Sequence, residues 1–281
     1  MTMISLERTN LNISTRTYTI SQGNPSQLNA GSSMGGSGAF TWDLSFTSNM
    51  LTLLDPVATK DTLRFIIENT VFFNNKSKPF LSPQLWDAYS RYSYPQSTPY
   101  FFDYMTTFQF ISTYIRITND TDFLNENIKL VKPIENMDSI TVKNYLYQLS
   151  IAYKKYPSIK NSNGYIVDYG GNIRCFLEVV PTYIHAVPAL NYGNGYMLLS
   201  MSQLLNDSNL RTEGINIIKT ANKMMYNNDG TFNCLYPNNT FKNVRTIADY
   251  VYISQFLGLF IPREGGGIDD CLLYTSDAAD D

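Results

Sequence analysis

Apolar positions recur at helical spacing through most of this chain, after forty polar residues rich in Ser, Thr, Asn and Gly. That polar opening closes on "NAGSSMGGSGAF", whose glycines mark a flexible or tightly turning segment. "SNMLTLLDP" then carries helix-spaced apolar residues up to Pro56. "ATKDTLRFIIENTVFF" repeats the pattern at Leu63, Ile66, Ile67 and Thr70. "DYMTTFQFISTYIRITND" predicts a long aromatic helix closed by Asn119 and Asp120. "SITVKNYLYQLSIAYKKYP" predicts another, capped by Ser139 and ended by Pro157.

The pattern breaks at "SNGYIVDYGGNIRCFLEVVPTYIHAVP". Gly164, Gly170, Gly171, Pro181 and Pro188 make it a long structured loop with room for a short strand. Helices resume in "ALNYGNGYMLLSMSQLLND", "LRTEGINIIKTANKMMYN" and "RTIADYVYISQFLGLF". "NDGTFNCLYPNNTF" reads as a hairpin-like connection between the last two. Roughly seven helices and little sheet predict an all-α protein of recurring helix pairs, an α-toroid or α-solenoid.

Composition narrows the function. The 281 residues are 43% apolar but only 16% charged, with 21 Tyr and 16 Phe. Such a chain can bury a large core and line a cleft with rings. A net charge of -3 gives no general attraction to nucleic acid. No apolar run reaches the length of a membrane span, and "MTMISLERTN" lacks the pattern of a signal peptide. The compartment is therefore open, cytoplasmic by default, and oligomeric state is open too. Cys175, Cys234 and Cys271 are scattered and odd in number, and His185 is the sole histidine. Neither a disulfide framework nor a metal centre is expected, and no cofactor motif occurs. The sequons at Asn12, Asn75, Asn119, Asn206 and Asn238 are what an Asn-rich chain makes by chance.

Three segments concentrate candidate chemistry. In "FTWDLSF", Asp43 is a helix cap beside a buried Trp42, or the two form a sugar platform of indole face and carboxylate. In "YPQSTPYF", Gln96 lies between two prolines. Its amide suits hydroxyl recognition, and a rigid turn explains it equally well. The third segment brings Asp168, Glu178, Tyr183, His185, Asn191 and Asn194 into one loop-to-helix stretch. A single loop carboxylate is usually structural, here an Asx turn for Asp168 and a backbone cap for Glu178. The density of polar groups in a chain so poor in charge favours a site.

On these residues the chain resembles a known clan. "FTWDLSFTSNMLTLLDPVATKDTLRFII", "YPQSTPYF", "DYGG", "LEVVPTYIHAVPALNYGN" and "RTIADYVYISQFLG" follow the order seen in the (α/α)6-toroid glycoside hydrolases. That clan holds the trehalases, processing α-glucosidases and glycogen-debranching glucosidases. The likeness spans about Phe40 to Leu259 and is strongest to the mannosylglycerate hydrolase-like branch. It implies an inverting hydrolase acting on an α-glycosidic bond of a small saccharide or glycoside, without cofactor. The clan's general acid lies on the loop before the "LNxxN" helix, where this chain has Asp168 and Glu178. The usual Glu-Ser-Gly-x-Asp stretch is absent, so both stay open, with Asp168 preferred by its place after the preceding helix. The resemblance further implies that Trp42, Asp43 and Gln96 hold the sugar beside the cleaved bond; the polar density of the third segment adds Tyr183, His185, Asn191 and Asn194 as candidate substrate contacts. A non-catalytic helical-repeat scaffold that binds a protein or peptide is the alternative.

The division expected from this reading is a polar segment over 1–38, a partial toroid over 39–267 and a foreign tail over 268–281. "CLLYTSDAAD" back-translates in frame to TGT CTC TTA TAC ACA TCT GAC GCT GCC GAC, which resembles a transposase library adapter. A toroid cut there is expected to lack its catalytic base, to aggregate and to be inactive.

Overall fold

The structure is a computed structural model, and it describes residues 4–7, 17–20, 48–68, 70, 101–134, 137–176, 180–227, 231–243, 249 and 253. It is mostly helical, with six α-helices and three two-stranded antiparallel sheets among the described residues. The chain forms two compact units, residues 1–152 and 153–281.

The first unit holds β1 (Ile4–Glu7), β2 (Thr17–Ile20), α1 (Ser48–Leu54), α2 (Pro56–Glu68), α3 (Phe102–Thr118), β3 (Asn127–Ile134), β4 (Met137–Thr141) and α4 (Val142–Ile151). Pro56 starts α2, where its missing N–H costs nothing, and Asp55 Oδ1 accepts the Ala58 N–H at 2.9 Å. α2 turns Ala58, Thr59, Thr62, Leu63, Ile66 and Ile67 inward, the stripe that its periodicity predicts. α3 is buried almost all round, Thr106, Thr107 and Gln109 included.

Two departures from the sequence reading lie here. The expected helix from Ser139 begins only at Val142, because residues 137–141 pair with β3 as a hairpin. Ser139 accepts from Asn127 Nδ2 across that hairpin at 2.9 Å, and the cap is Thr141, whose hydroxyl accepts the Asn144 N–H. The β3–β4 hairpin itself was not expected.

The second unit holds α5 (Pro188–Leu205), α6 (Ser208–Met225), β5 (Asn233–Leu235) and β6 (Phe241–Asn243). The expected hairpin between the last helical segments is β5–β6. α5 and α6 form an antiparallel pair whose two-residue link is built by two polar side chains. Asn206 takes the left-handed C-cap conformation (φ 52°), and the Asp207 carboxylate accepts the Asn209 and Leu210 N–H groups. Asn119 and Asp120 end α3 the same way, with Asp120 capping the turn 121–125. α6 buries Leu210, Gly214, Ile217, Ile218, Ala221 and Met225, one stripe of an amphipathic helix. The core joins Ile166, Ala186, Tyr192, Ile218, Met225, Phe232 and Ile253.

No described helix is long and apolar enough to cross a membrane.

Candidate functional site

The described parts of the loop over residues 156–187, residues 156–176 and 180–187, are ordered by three backbone devices. First, residues 157–159 and 166–168 pair as a short ladder, with Ile159 N–H on Ile166 O at 2.8 Å and Asp168 N–H on Pro157 O at 2.8 Å. Asn161, Asn163 and Gly164, all at positive φ, turn the chain between them. Second, Ala186 and Leu235 exchange two backbone bonds, which ties the loop to β5. Third, Asn191 reaches back from the first turn of α5. Its Oδ1 accepts the Val167 N–H at 2.7 Å and its Nδ2 donates to Val167 O and Val187 O.

These devices bring Asp168 and His185 together. Asp168 Oδ1 accepts the Gly170 N–H at 2.8 Å, the Asx turn, and lies 2.9 Å from His185 Nδ1. The two side chains are 12% and 22% exposed, so the pair lies at a surface. Gly170 supplies φ 92°, and His185 itself is left-handed at φ 65°. The His185 N–H donates to Gly170 O at 2.8 Å and the Tyr169 N–H to His185 O at 3.3 Å, which hold that conformation. Tyr236 packs its ring on the imidazole, centroids 5.0 Å apart and tilted by 52°, while its hydroxyl donates to Thr182 O. Burial pushes the Tyr236 phenol up from its ordinary value, followed by the field of Cys234.

The other described candidates face inward. Tyr183 is fully buried and its hydroxyl donates to Asp249 Oδ1 at 2.5 Å, and that same oxygen accepts the Ala189 N–H at 3.1 Å. Burial, then the Asp249 charge, holds the Tyr183 phenol well above its ordinary range. Asn194 is fully buried and donates to Tyr169 Oη at 2.7 Å. Asn191 is fully buried too, with its amide occupied by backbone. Trp42, Asp43, Gln96 and Glu178 lie outside the described residues.

Tyr236 and Asp249 join this neighbourhood without having stood out in sequence, and Gly171, read there only as a loop residue, lies against the His185 ring. Asp249 carries the only hint, an acid inside the apolar stretch "TIADYVYI". Cys175 and Cys234 are buried free thiols, and burial pushes Cys175 up to about 11, which keeps it protonated and unreactive. Among the described residues no group of His, Cys, Asp and Glu could hold a metal ion. No family model matches the chain, and no curated protein matches it in sequence.

Proposed function

We propose that this chain is the helical catalytic part of an inverting glycoside hydrolase that cleaves an α-glycosidic bond in a small saccharide or glycoside, with Asp168 as proton donor. The observation that supports the reading most is the posture of Asp168. One oxygen, Oδ1, is engaged by the Gly170 N–H and His185, while Oδ2 has no partner among the described residues. The carboxyl is thus oriented by the loop and keeps one oxygen for chemistry at a surface rimmed by Tyr236 and His185. In the proposed step the Oδ2 proton passes to the glycosidic oxygen as its bond to the anomeric carbon breaks. A water, giving its proton to a second carboxylate, forms the new bond from the opposite face.

A helical scaffold that binds a peptide is the second reading, favoured by Leu53, Leu54 and Val57, which stand 64–73% exposed at the α1–α2 turn.

The deciding experiment uses protein expressed from the intact gene and a panel of α-glycosides followed by NMR. The expected first product is the β-anomer. Asp168→Asn should lower kcat by about 10²–10⁴-fold with little change in KM, and Glu178→Gln is the comparison. Absence of turnover across the panel, or an Asp168→Asn variant as active as the parent, overturns the reading.

A further inference from the structure

We propose that Asp168 locks His185 in its Nδ1–H tautomer, so that His185 Nε2 is left as an acceptor for a hydroxyl donor of a neutral polyhydroxyl ligand. The tautomer follows from what Oδ1 already does. It accepts the Gly170 N–H, which can only donate, so the second contact at 2.9 Å is satisfied by a hydrogen on Nδ1. This holds for the carboxylate and for a carboxyl protonated on Oδ2. A neutral imidazole has one ring hydrogen, so Nε2 is left with a lone pair. Free histidine favours the opposite tautomer, which makes the lock measurable.

The ring is also placed deliberately. A non-glycine residue at φ 65° is uncommon, and such conformations persist where surrounding bonds over-determine them. Here the Gly170 and Tyr169 backbone bonds do so. Gly171 lies against the far edge of the ring: a methyl carbon there would approach Nε2 to 3.1 Å and Cε1 to 3.4 Å. Nε2 has no protein partner among the described residues. A bare imidazole nitrogen accepts from O–H groups and offers no hydrogen to a carboxylate or phosphate. The ligand class rests on the hydrolase reading; the tautomer does not.

His185 is the sole histidine of these 281 residues, and in a long-range ¹H–¹⁵N spectrum of the labelled protein expressed from the intact gene its imidazole is the signal that His185→Gln removes. At a pH where the ring is neutral, the expected pattern is a protonated Nδ1 and a bare Nε2. Asp168→Ala should return the ring to the Nε2–H form. Methyl α-D-glucopyranoside should move the Nε2 resonance, and Gly171→Ala should weaken that response several-fold while leaving the tautomer in place. An Nε2–H ring in the parent protein overturns the lock, whatever the fate of the variants. A locked ring that ignores the glucoside at saturating concentration overturns the ligand assignment. A locked, responsive ring without glycoside turnover removes the hydrolase reading alone and leaves this proposal standing.

Discussion

Gly195 of α5 and Gly214 of α6 face each other across the helix pair with no room for a side chain on either. A methyl carbon at Gly195 would lie 2.6 Å from Ile218 Cγ1 and 3.1 Å from Gly214 O; one at Gly214 would lie 2.9 Å from Gly195 O. Neither glycine has a positive φ, so the requirement is close approach and not backbone conformation. Gly195→Ala gains helix propensity, about 1 kcal/mol, yet must push apart a backbone and a branched side chain, a cost of about 1–3 kcal/mol. Both Gly195→Ala and Gly214→Ala are expected to destabilise, measured as a lower urea midpoint at unchanged slope. A stabilised Gly195→Ala would show that the helices separate freely.

The start of α5 depends on a residue sixty positions later. Val187 offers no capping side chain and Pro188 no N–H, and Asp249 Oδ1 takes the Ala189 N–H together with the Tyr183 hydroxyl. Hydrogen bonds to a charged group contribute about 1.5–3 kcal/mol. A double-mutant cycle of Tyr183→Phe and Asp249→Ala should therefore show a coupling above about 1 kcal/mol. Asp249→Asn, which retains an acceptor, should be milder than Asp249→Ala. Coupling near zero would mean that the two groups stabilise the unit separately.

The helices were legible because each carries its own stripe and its own stop. The Asn119–Asp120 and Asn206–Asp207 pairs each place a left-handed residue before a capping carboxylate, which is local chemistry. The β3–β4 hairpin was not legible. Among the described side chains Ile128, Leu130 and Ile140 alternate inward, too short a run to mark a strand pair, and Ser139 reads as a cap until its partner Asn127 is seen across the strand. In the candidate site, Asp168 and His185 were visible as chemistry-bearing residues of one loop. Their pairing was not, since it depends on a left-handed His185 and on the Ala186–Leu235 bridge that brings Tyr236 alongside. The interior hydrogen bonds of Asn191, Asn194 and Tyr183 were not legible, because interior hydrogen-bonding groups and ligand-binding ones use the same side chains.

Acid should destabilise the first unit through Asp120. Its carboxylate receives Lys60 Nζ at 2.7 Å, Tyr114 Oη at 2.9 Å and the Phe123 N–H at 3.2 Å, and Lys60 above all holds it below its usual 3.8. A depressed folded pKa gives stability that is complete above 3.8 and is lost as pH falls through the folded value. Asp120→Asn is expected to cost about 1–2 kcal/mol near neutral pH and progressively less below pH 3.8. Denaturation curves for parent and variant should converge in acid. A constant gap across that range would assign the loss to packing.

Alkali should act through tyrosines. Burial, reinforced by Asp120, pushes Tyr114 up to about 12; burial holds Tyr145, Tyr153, Tyr156 and Tyr192 higher still and Tyr183 well above its ordinary range. Their folded values exceed the unfolded value of about 10, so the stability they carry is intact below pH 10 and is lost as pH rises above it. Each group then removes about 1.4 kcal/mol per pH unit until its own folded value is reached. Against a net stability of about 5–15 kcal/mol, several such groups suffice within one or two pH units. Phenolate absorbance should rise in two stages, exposed rings near pH 10 and the buried set later, in step with loss of helical ellipticity. Tyr153→Phe removes one titrating group and also its 2.6 Å bond to Glu213. That variant should start less stable at pH 7 yet lose stability less steeply above pH 10. Single-stage titration of all rings near pH 10, with ellipticity retained, would place these phenols in contact with water.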